Sequence, residues 1–269
     1  DSYSDTEVLL TAYIYFGKEC INKLIGIFAF GIFDEDKREV FLARDQMGVK
    51  PLFYTVKDNT LIFGSEIKTI LANPKIKREI NREGLTELFG LGPAVTPGSA
   101  VFKDIKEIAP ANCLLISKDN TIKVWEYWSV EAKEFKETEE EAIIHTKELL
   151  IDAINRQLVG DVPVCTFLSG GLDSSAISAI AAKSFKDKGK ELTTYSIEYE
   201  DNDKYFKSSL FQPTSDEYFA DVMAKFIGSN HRKVVLDHSN LASALKDAVI
   251  ARDLPGMADI DSSLLLFCK

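Results

Sequence analysis

Val162-Pro-Val-Cys-Thr-Phe-Leu-Ser-Gly-Gly-Leu-Asp-Ser-Ser175, running on into Ala176-Ile-Ser-Ala-Ile-Ala-Ala-Lys183, reads as an apolar strand, a two-glycine turn and a small-residue helix. Gly170 and Gly171 lack Cβ atoms, so the backbone can take positive φ there and approach a ligand closely. Ser169, Ser174 and Ser175 bring hydroxyls to the start of the helix, where unpaired N–H groups and the helix dipole favour an anion. The turn is built to hold phosphate. It is not a P-loop, which requires a lysine after its last glycine, and it does not spell the Gly-x-Gly-x-x-Gly dinucleotide signature.

Working outward, strands and helices alternate. A long amphipathic helix is predicted over residues 139–158, with Ala142, Ile143, Thr146, Leu149, Leu150, Ala153, Ile154 and Leu158 at helical spacing. It is followed by strand 162–168, helix 174–185, strand 192–199, helix 216–227, strand 232–236 and helix 240–252. That rhythm predicts βαβ units, hence a parallel sheet covered by helices, with ligands at the carboxyl ends of its strands. The 169–175 turn lies at one such end.

The first half follows another pattern. Ser4-Asp-Thr-Glu7 spells a capping box opening an amphipathic helix to about residue 16. Short runs rich in Ile, Phe, Val and Tyr follow at 25–33, 39–43, 52–56 and 61–63, separated by turn compositions. Segments 66–71 and 82–89 are helical in pattern, 91–98 is an irregular loop, and 111–117 with 121–127 make a last strand pair. Closely spaced short strands predict layered antiparallel sheets. The polar stretch 129–141 reads as a linker, so the boundary falls near residue 130.

Composition narrows the function. The 269 residues are 45% hydrophobic and carry a net charge of −10, which excludes a general nucleic-acid footprint. No apolar run reaches the roughly 20 residues that span a bilayer, so no membrane partner is expected. Cys20, Cys113, Cys165 and Cys268 form no Cys-x-x-Cys pair and read as buried reduced thiols in a cytoplasmic protein. His145, His231 and His238 have no metal-ligand spacing, and His231 reads as a hydrogen-bonded structural residue.

Ser169-Gly-Gly-Leu-Asp-Ser-Ser175 resembles the pyrophosphate loop of the N-type ATP pyrophosphatases, in the spelling of the asparagine synthetases and their relatives. Asp216-Glu-Tyr-Phe-Ala220, Asn230-His231 and Asp253-Leu-Pro-Gly-Met-Ala-Asp-Ile-Asp-Ser-Ser263 are similar to the same family. Ser4-Asp-Thr-Glu-Val-Leu-Leu10, Gly26-Ile-Phe-Ala-Phe30, Phe41-Leu-Ala-Arg-Asp45, Gly48-Val-Lys-Pro-Leu52 and Phe63-Gly-Ser-Glu-Ile-Lys68 resemble the class II glutamine amidotransferase domain that precedes the synthetase domain. The resemblance implies an α/β protein in two parts. Residues 1–130 would be a partial amidotransferase domain with αββα-type layered antiparallel sheets. Residues 131–269 would be a partial adenine-nucleotide α-hydrolase-like, Rossmann-like domain, a parallel sheet with helices on both faces.

It also implies a chemistry, in which ATP adenylates the aspartate side chain and ammonia from glutamine displaces AMP, giving asparagine and pyrophosphate. Phe167, Leu168, Ser169, Gly170, Gly171, Asp173, Ser174, Ser175 and Ile197 would bind ATP, and Asp173 would ligate Mg²⁺. Plain core packing is the competing reading for Phe167, Leu168 and Ile197. Asp259 and Asp261 would either shape the aspartate site or, for Asp261, cap the last helix. The partners implied are aspartate, ATP, and glutamine or ammonia, with a homodimer left open. For Arg44 and Asp45 a structural ion pair, locking the strand end onto the following turn, stands beside a functional reading, and no catalysis is assigned to them.

Two departures from the family pattern bear on glutamine hydrolysis. The family's nucleophile is an N-terminal cysteine, whereas this sequence starts at Asp1 and its first cysteine is Cys20. Where the family carries an aspartate against the glutamine ammonium, Leu24-Ile25-Gly26-Ile-Phe-Ala29 has Ile25. The second phosphate motif of the family is also missing before Lys269, so the chain is expected to be an inactive interior portion, with its catalytic residues beyond its ends. A β-lactam-synthetase-like relative with a dead glutaminase domain, or a non-catalytic ATP or AMP binder, are the alternatives.

Overall fold

The computed structural model describes residues 4–207 and 216–269, apart from the side chains of residues 203 and 205. Asp1, on which the expected lack of an N-terminal nucleophile turns, lies outside the described residues. The chain forms two compact units, one of residues 1–132 with 252–257 and one of residues 133–251 with 258–269.

The first unit opens with helix α1 (Asp5–Phe16), started by the Ser4 hydroxyl accepting from the Glu7 amide, and a 3₁₀ turn (Gly17–Lys23). Its strands are β1 (Ala29–Asp34), β2 (Glu39–Arg44), β3 (Phe53–Lys57), β4 (Thr60–Gly64), β5 (Lys106–Glu107), β6 (Asn112–Ile116) and β7 (Ile122–Glu126), with short helices α2 (Ile67–Leu71) and α3 (Arg82–Gly90) between. They make two antiparallel sheets, ordered β1-β2-β6-β7 and β4-β3-β5.

Alternation along the strands builds the layers. Phe41, Ala43, Cys113 and Leu115 turn one face of the first sheet onto Tyr13, Cys20 and Ile21 of the N-terminal helices. Leu42, Leu114 and Ile116 turn the other face onto Tyr54 and Leu61 of the second sheet and onto Leu52 and Ile108, which flank its strands. That sheet's far face, with Phe53 and Ile62, covers Ile67 and Ile70 of α2. Helix, sheet, sheet, helix is the order of packing.

Three expectations for this unit are corrected. The strand expected over 25–33 starts only at Ala29, and Ile25 is 84% exposed in the loop before it. Helix α1 is not amphipathic: Val8, Leu10, Ile14, Tyr15 and Phe16 are exposed and Tyr13 alone is buried, because apolar residues occur all around it. Arg44 and Asp45 are not partners. Arg44 pairs with Glu107 at 2.8 Å and donates to the carbonyls of Gly48, Lys50 and Ile108, while Asp45 accepts from the amides of Phe28, Val49 and Lys50. Arg44 closes β2 while Asp45 opens the turn after it and accepts that turn's amides, so each finds its own buried network.

The second unit holds α4 (Glu139–Gln157), β8 (Cys165–Phe167), α5 (Leu172–Asp187), β9 (Thr193–Tyr199), α6 (Asn202–Tyr205), α7 (Asp216–Ile227), β10 (Asn230–Leu236), α8 (His238–Arg252) and α9 (Ala258–Cys268). Helix α4 starts on a full capping box, Thr138 with Glu141. The sheet is parallel and ordered β10-β9-β8. Thr166 turns to one face, where its hydroxyl meets Ser178 of α5 at 2.8 Å; Phe167 turns to the other, where its ring meets Phe267 of α9 at 4.7 Å. Helices therefore cover both faces. Small cores under α5 and α7 gather Leu168, Ala220 and Ala224, and Ala181, Ala182 and Leu192.

Here too the expectations shift. Strand 162–168 contracts to Cys165–Phe167, with Pro163 unable to donate to a ladder and Val162 exposed. Cys165, at the start of this three-residue strand, and Cys268, in the last turn of α9, are exposed rather than buried. Cys20 and Cys113 are buried, and burial pushes the Cys113 thiol up to about 12. Asp261 does not cap α9, which begins three residues earlier and carries it in its first turn.

Candidate functional site

The glycine turn joins β8 to α5 at the carboxyl end of the sheet. Gly170 has φ +84, where only glycine is unstrained, and a Cβ there would lie 2.7 Å from the Ala220 amide nitrogen and from Phe219 Cβ, and 2.8 Å from the Asp216 carbonyl. The first turn of α7 therefore packs against this glycine. Gly171 does not use that freedom: its φ is −69, and a Cβ would meet only Ser169 Oγ, at 3.5 Å. Positive φ is needed once, for packing, and the second glycine leaves open space in front of the helix.

Gly171 is the N-cap of α5 and no side chain caps the helix. The Ser175 amide returns to the Gly171 carbonyl, so the amides of Leu172, Asp173 and Ser174 form the uncapped first turn. Ser174 Oγ donates to the Gly171 carbonyl, and Ser169 Oγ sits 3.0 Å from Ser174 Oγ, which also accepts from the Ser169 amide. The two serines tie the turn's ends together beside the helix dipole. Asp173, exposed at the second helical position, is the one carboxylate of the turn.

A cleft of about 280 Å³ lies beside this turn. Phe167, Leu168, Ser169 and Ile197 line it, together with Tyr195, Ser196, Tyr199, Asp216, Glu217, Ala220, Leu264 and Phe267. The expected residues thus divide between two parts, a turn with Gly170, Gly171, Asp173, Ser174 and Ser175, and a cleft with the other four. Phe167 is 56% exposed, whereas Leu168 is wholly buried among Ala220 and Ala224 and takes the packing role. Tyr195 and Tyr199, two residues either side of Ile197, follow from strand alternation. The α9 wall, Leu264 and Phe267, carries no signal in the sequence beyond its apolarity. Tyr199 donates to Ser263 Oγ, which donates to the Asp259 carbonyl, fastening α9 to the end of β9.

Behind the cleft the sheet is polar. His231 bridges Thr194 Oγ1 at 2.8 Å and Ser196 Oγ at 3.1 Å, and burial lowers its basicity. Its two ring nitrogens are occupied, as expected of a structural histidine. In the first unit, Asp253 accepts from the Lys68 amide and pairs with its ammonium at 3.1 Å, so the 253–257 loop is anchored at α2. Among the described residues no three His, Cys, Asp or Glu side chains converge on a metal position, and no helix is long and apolar enough to cross a membrane.

Residues 1–128 match the family described as glutamine amidotransferase domain, and residues 145–269 the family described as asparagine synthase. The chain is 53% identical over 267 residues to the protein named asparagine synthetase [glutamine-hydrolyzing] 3 of Bacillus subtilis, covering 99% of this chain and 43% of that protein. It is 37% identical over 199 residues to a putative asparagine synthetase [glutamine-hydrolyzing] 2 of Methanocaldococcus jannaschii, covering 73% and 38%. The chain therefore spans less than half the length of these curated relatives. A solved structure titled as the allosteric regulatory enzyme of purine biosynthesis aligns at 14% identity with a TM-score of 0.32, over 87% of this chain and 54% of that one, too loosely to carry an argument. The chain joins two families: its residues 1–128 belong to the glutamine amidotransferase domains and its residues 145–269 to the asparagine synthases.

Proposed function

We propose that this chain contributes to ATP-dependent amide formation of the asparagine synthetase kind, in a cytoplasmic setting. A carboxylate resists ammonia because its carbon is electron-rich and its oxygen leaves poorly. An aspartate side-chain oxygen attacks the α-phosphorus of ATP, the bond to pyrophosphate breaks, and the acyl-adenylate that forms has a good leaving group. Ammonia then adds to the carbonyl carbon, loses a proton and expels AMP. Positioning and charge stabilisation do most of this work.

The observation that carries the reading is the uncapped first turn of α5 opening beside an apolar, aromatic-walled cleft. Amides of Leu172, Asp173 and Ser174 would take the leaving phosphates, with Ser169, Ser174 and Ser175 adding hydroxyls. Gly170 and Gly171 shape the approach. Phe167 and Ile197 would flank the base, and Leu168 would support them from the core. Mg²⁺ keeps several waters and needs only one or two carboxylates besides the phosphates, so the exposed Asp173 fits it. Bound there, the ion would offset phosphate charge.

For residues 1–130 the proposed role is that of an amidotransferase domain. In that role it would supply the ammonia from glutamine. The site is tested by ¹⁵N-resolved titration with ATP–Mg²⁺. The amides of residues 170–175 and the cleft residues should shift with weak, saturable affinity; shifts confined to other parts of the chain would overturn the assignment.

A further inference from the structure

Lys233 stands on β10 and its ammonium meets three carboxylates on two other elements: Glu198 Oε1 of β9 at 2.7 Å, and Glu217 Oε1 and Asp221 Oδ2, one turn apart on α7, at 3.1 and 2.9 Å. The Glu198 contact is an ion pair without good hydrogen-bond direction, whereas those to Glu217 and Asp221 are hydrogen bonds. Its side chain is 30% exposed, and against the opposing effect of burial three carboxylate partners hold it firmly protonated.

What Lys233 holds matters for the site. The first turn of α7 supplies the Asp216 carbonyl, Phe219 Cβ and Ala220 amide that back Gly170. The same turn places Asp216 and Glu217 on the wall of the cleft. A ligand with several phosphate charges would meet an acidic wall there, and like charges in a partly desolvated cleft repel strongly. Lys233 is the cation that both pins this turn to the sheet and offsets Glu217.

We propose that Lys233 is a positioning residue for polyphosphate, fixing the α7 turn behind Gly170 and neutralising the acidic side of the cleft. The proposal rests on the assignment of the turn and cleft to a nucleotide. It acts on the phosphates and not on the base, which separates it from a role in stability alone.

The test is calorimetric titration of the chain and its Lys233→Met and Lys233→Arg variants with ATP–Mg²⁺, pyrophosphate–Mg²⁺ and adenosine, at a temperature where thermal melts show each protein folded. Lys233→Met should weaken ATP and pyrophosphate by roughly tenfold or more, because Glu217 is left as an uncompensated like charge beside the phosphates. Adenosine should bind as before, and Lys233→Arg should restore most of the loss. Equal ATP affinity in Lys233→Met and the parent chain overturns the proposal and leaves the nucleotide assignment intact. An equal loss for adenosine also overturns it, by making the effect purely structural. No binding of any of the three by the parent chain removes the nucleotide assignment itself, and this proposal with it.

Discussion

Gly170 and Gly171 are neighbours with opposite reasons for being glycine. At Gly170 a side chain would be strained by the positive φ and would strike the α7 backbone at 2.7 Å. Gly170→Ala should therefore cost about 2 kcal/mol or more in urea unfolding, from left-handed strain plus the clash. Gly171→Ala meets only Ser169 Oγ at ordinary contact distance, so its midpoint should move little while ATP binding falls, because the new methyl stands before the open amides. Equal destabilisation by both would show that the second glycine is also held by packing. Arg44 makes a similar point in the first unit. It is buried, serves three carbonyls and pairs with Glu107, so Arg44→Met should cost about 3–5 kcal/mol by leaving a charge and acceptors unpaired. Arg44→Lys should recover little, since one ammonium cannot reach three divergent carbonyls. Near-parental urea midpoints for either variant would contradict this network.

The parallel pair β9 and β10 carries a pH-dependent contact. His231 lies opposite Thr194 in register and spans to Ser196. Burial is the main cause of its lowered basicity, opposed by Glu198 and Asp221 and reinforced by Lys233. The folded state therefore holds the ring neutral below its ordinary value of 6.5. As pH falls through 6.5 the unfolded chain takes up a proton that the folded one refuses, so stability declines there and levels off below the lowered folded value. Stability measured by denaturant from pH 7.5 to 5 should show this decline, and His231→Gln should flatten it; an unchanged slope would point to another group. Elements such as this pair were legible because alternation and turn chemistry act locally: α7 spans residues 216–227 as its periodicity predicts. Errors cluster where a neighbour in space decides. Ile25 looks like strand but has no sheet partner to cover it, and β8 is cut short after Pro163. The turn of the candidate site was readable from glycine and serine chemistry, whereas the α7 backbone behind Gly170 and the Phe267 wall depend on contacts some 50 to 100 residues away.

The two units differ in how much core they own. The first gathers clusters of seven, five and five buried residues, stacked helix on sheet on sheet on helix. The second has two clusters of three, among the described residues, and Ile143, Leu149 and Leu150 of α4 remain exposed although their spacing predicts a covered stripe. Burial of apolar surface is the dominant favourable term, at about 25 cal/mol per Å². The second unit should accordingly open at lower denaturant than the first. The chain is labelled for this comparison, because both tryptophans, Trp125 and Trp128, lie in the first unit, while the long helices α4, α5, α7, α8 and α9 lie almost wholly in the second. Helical ellipticity should fall before tryptophan emission shifts, giving two separate midpoints in one urea series. Adding ATP–Mg²⁺ should move only the earlier midpoint upward, since ligand binding to one folded unit stabilises that unit by mass action. Coincident transitions by the two probes would mean that the units unfold as one and that the small cores of the second are stabilised by more than their own burial.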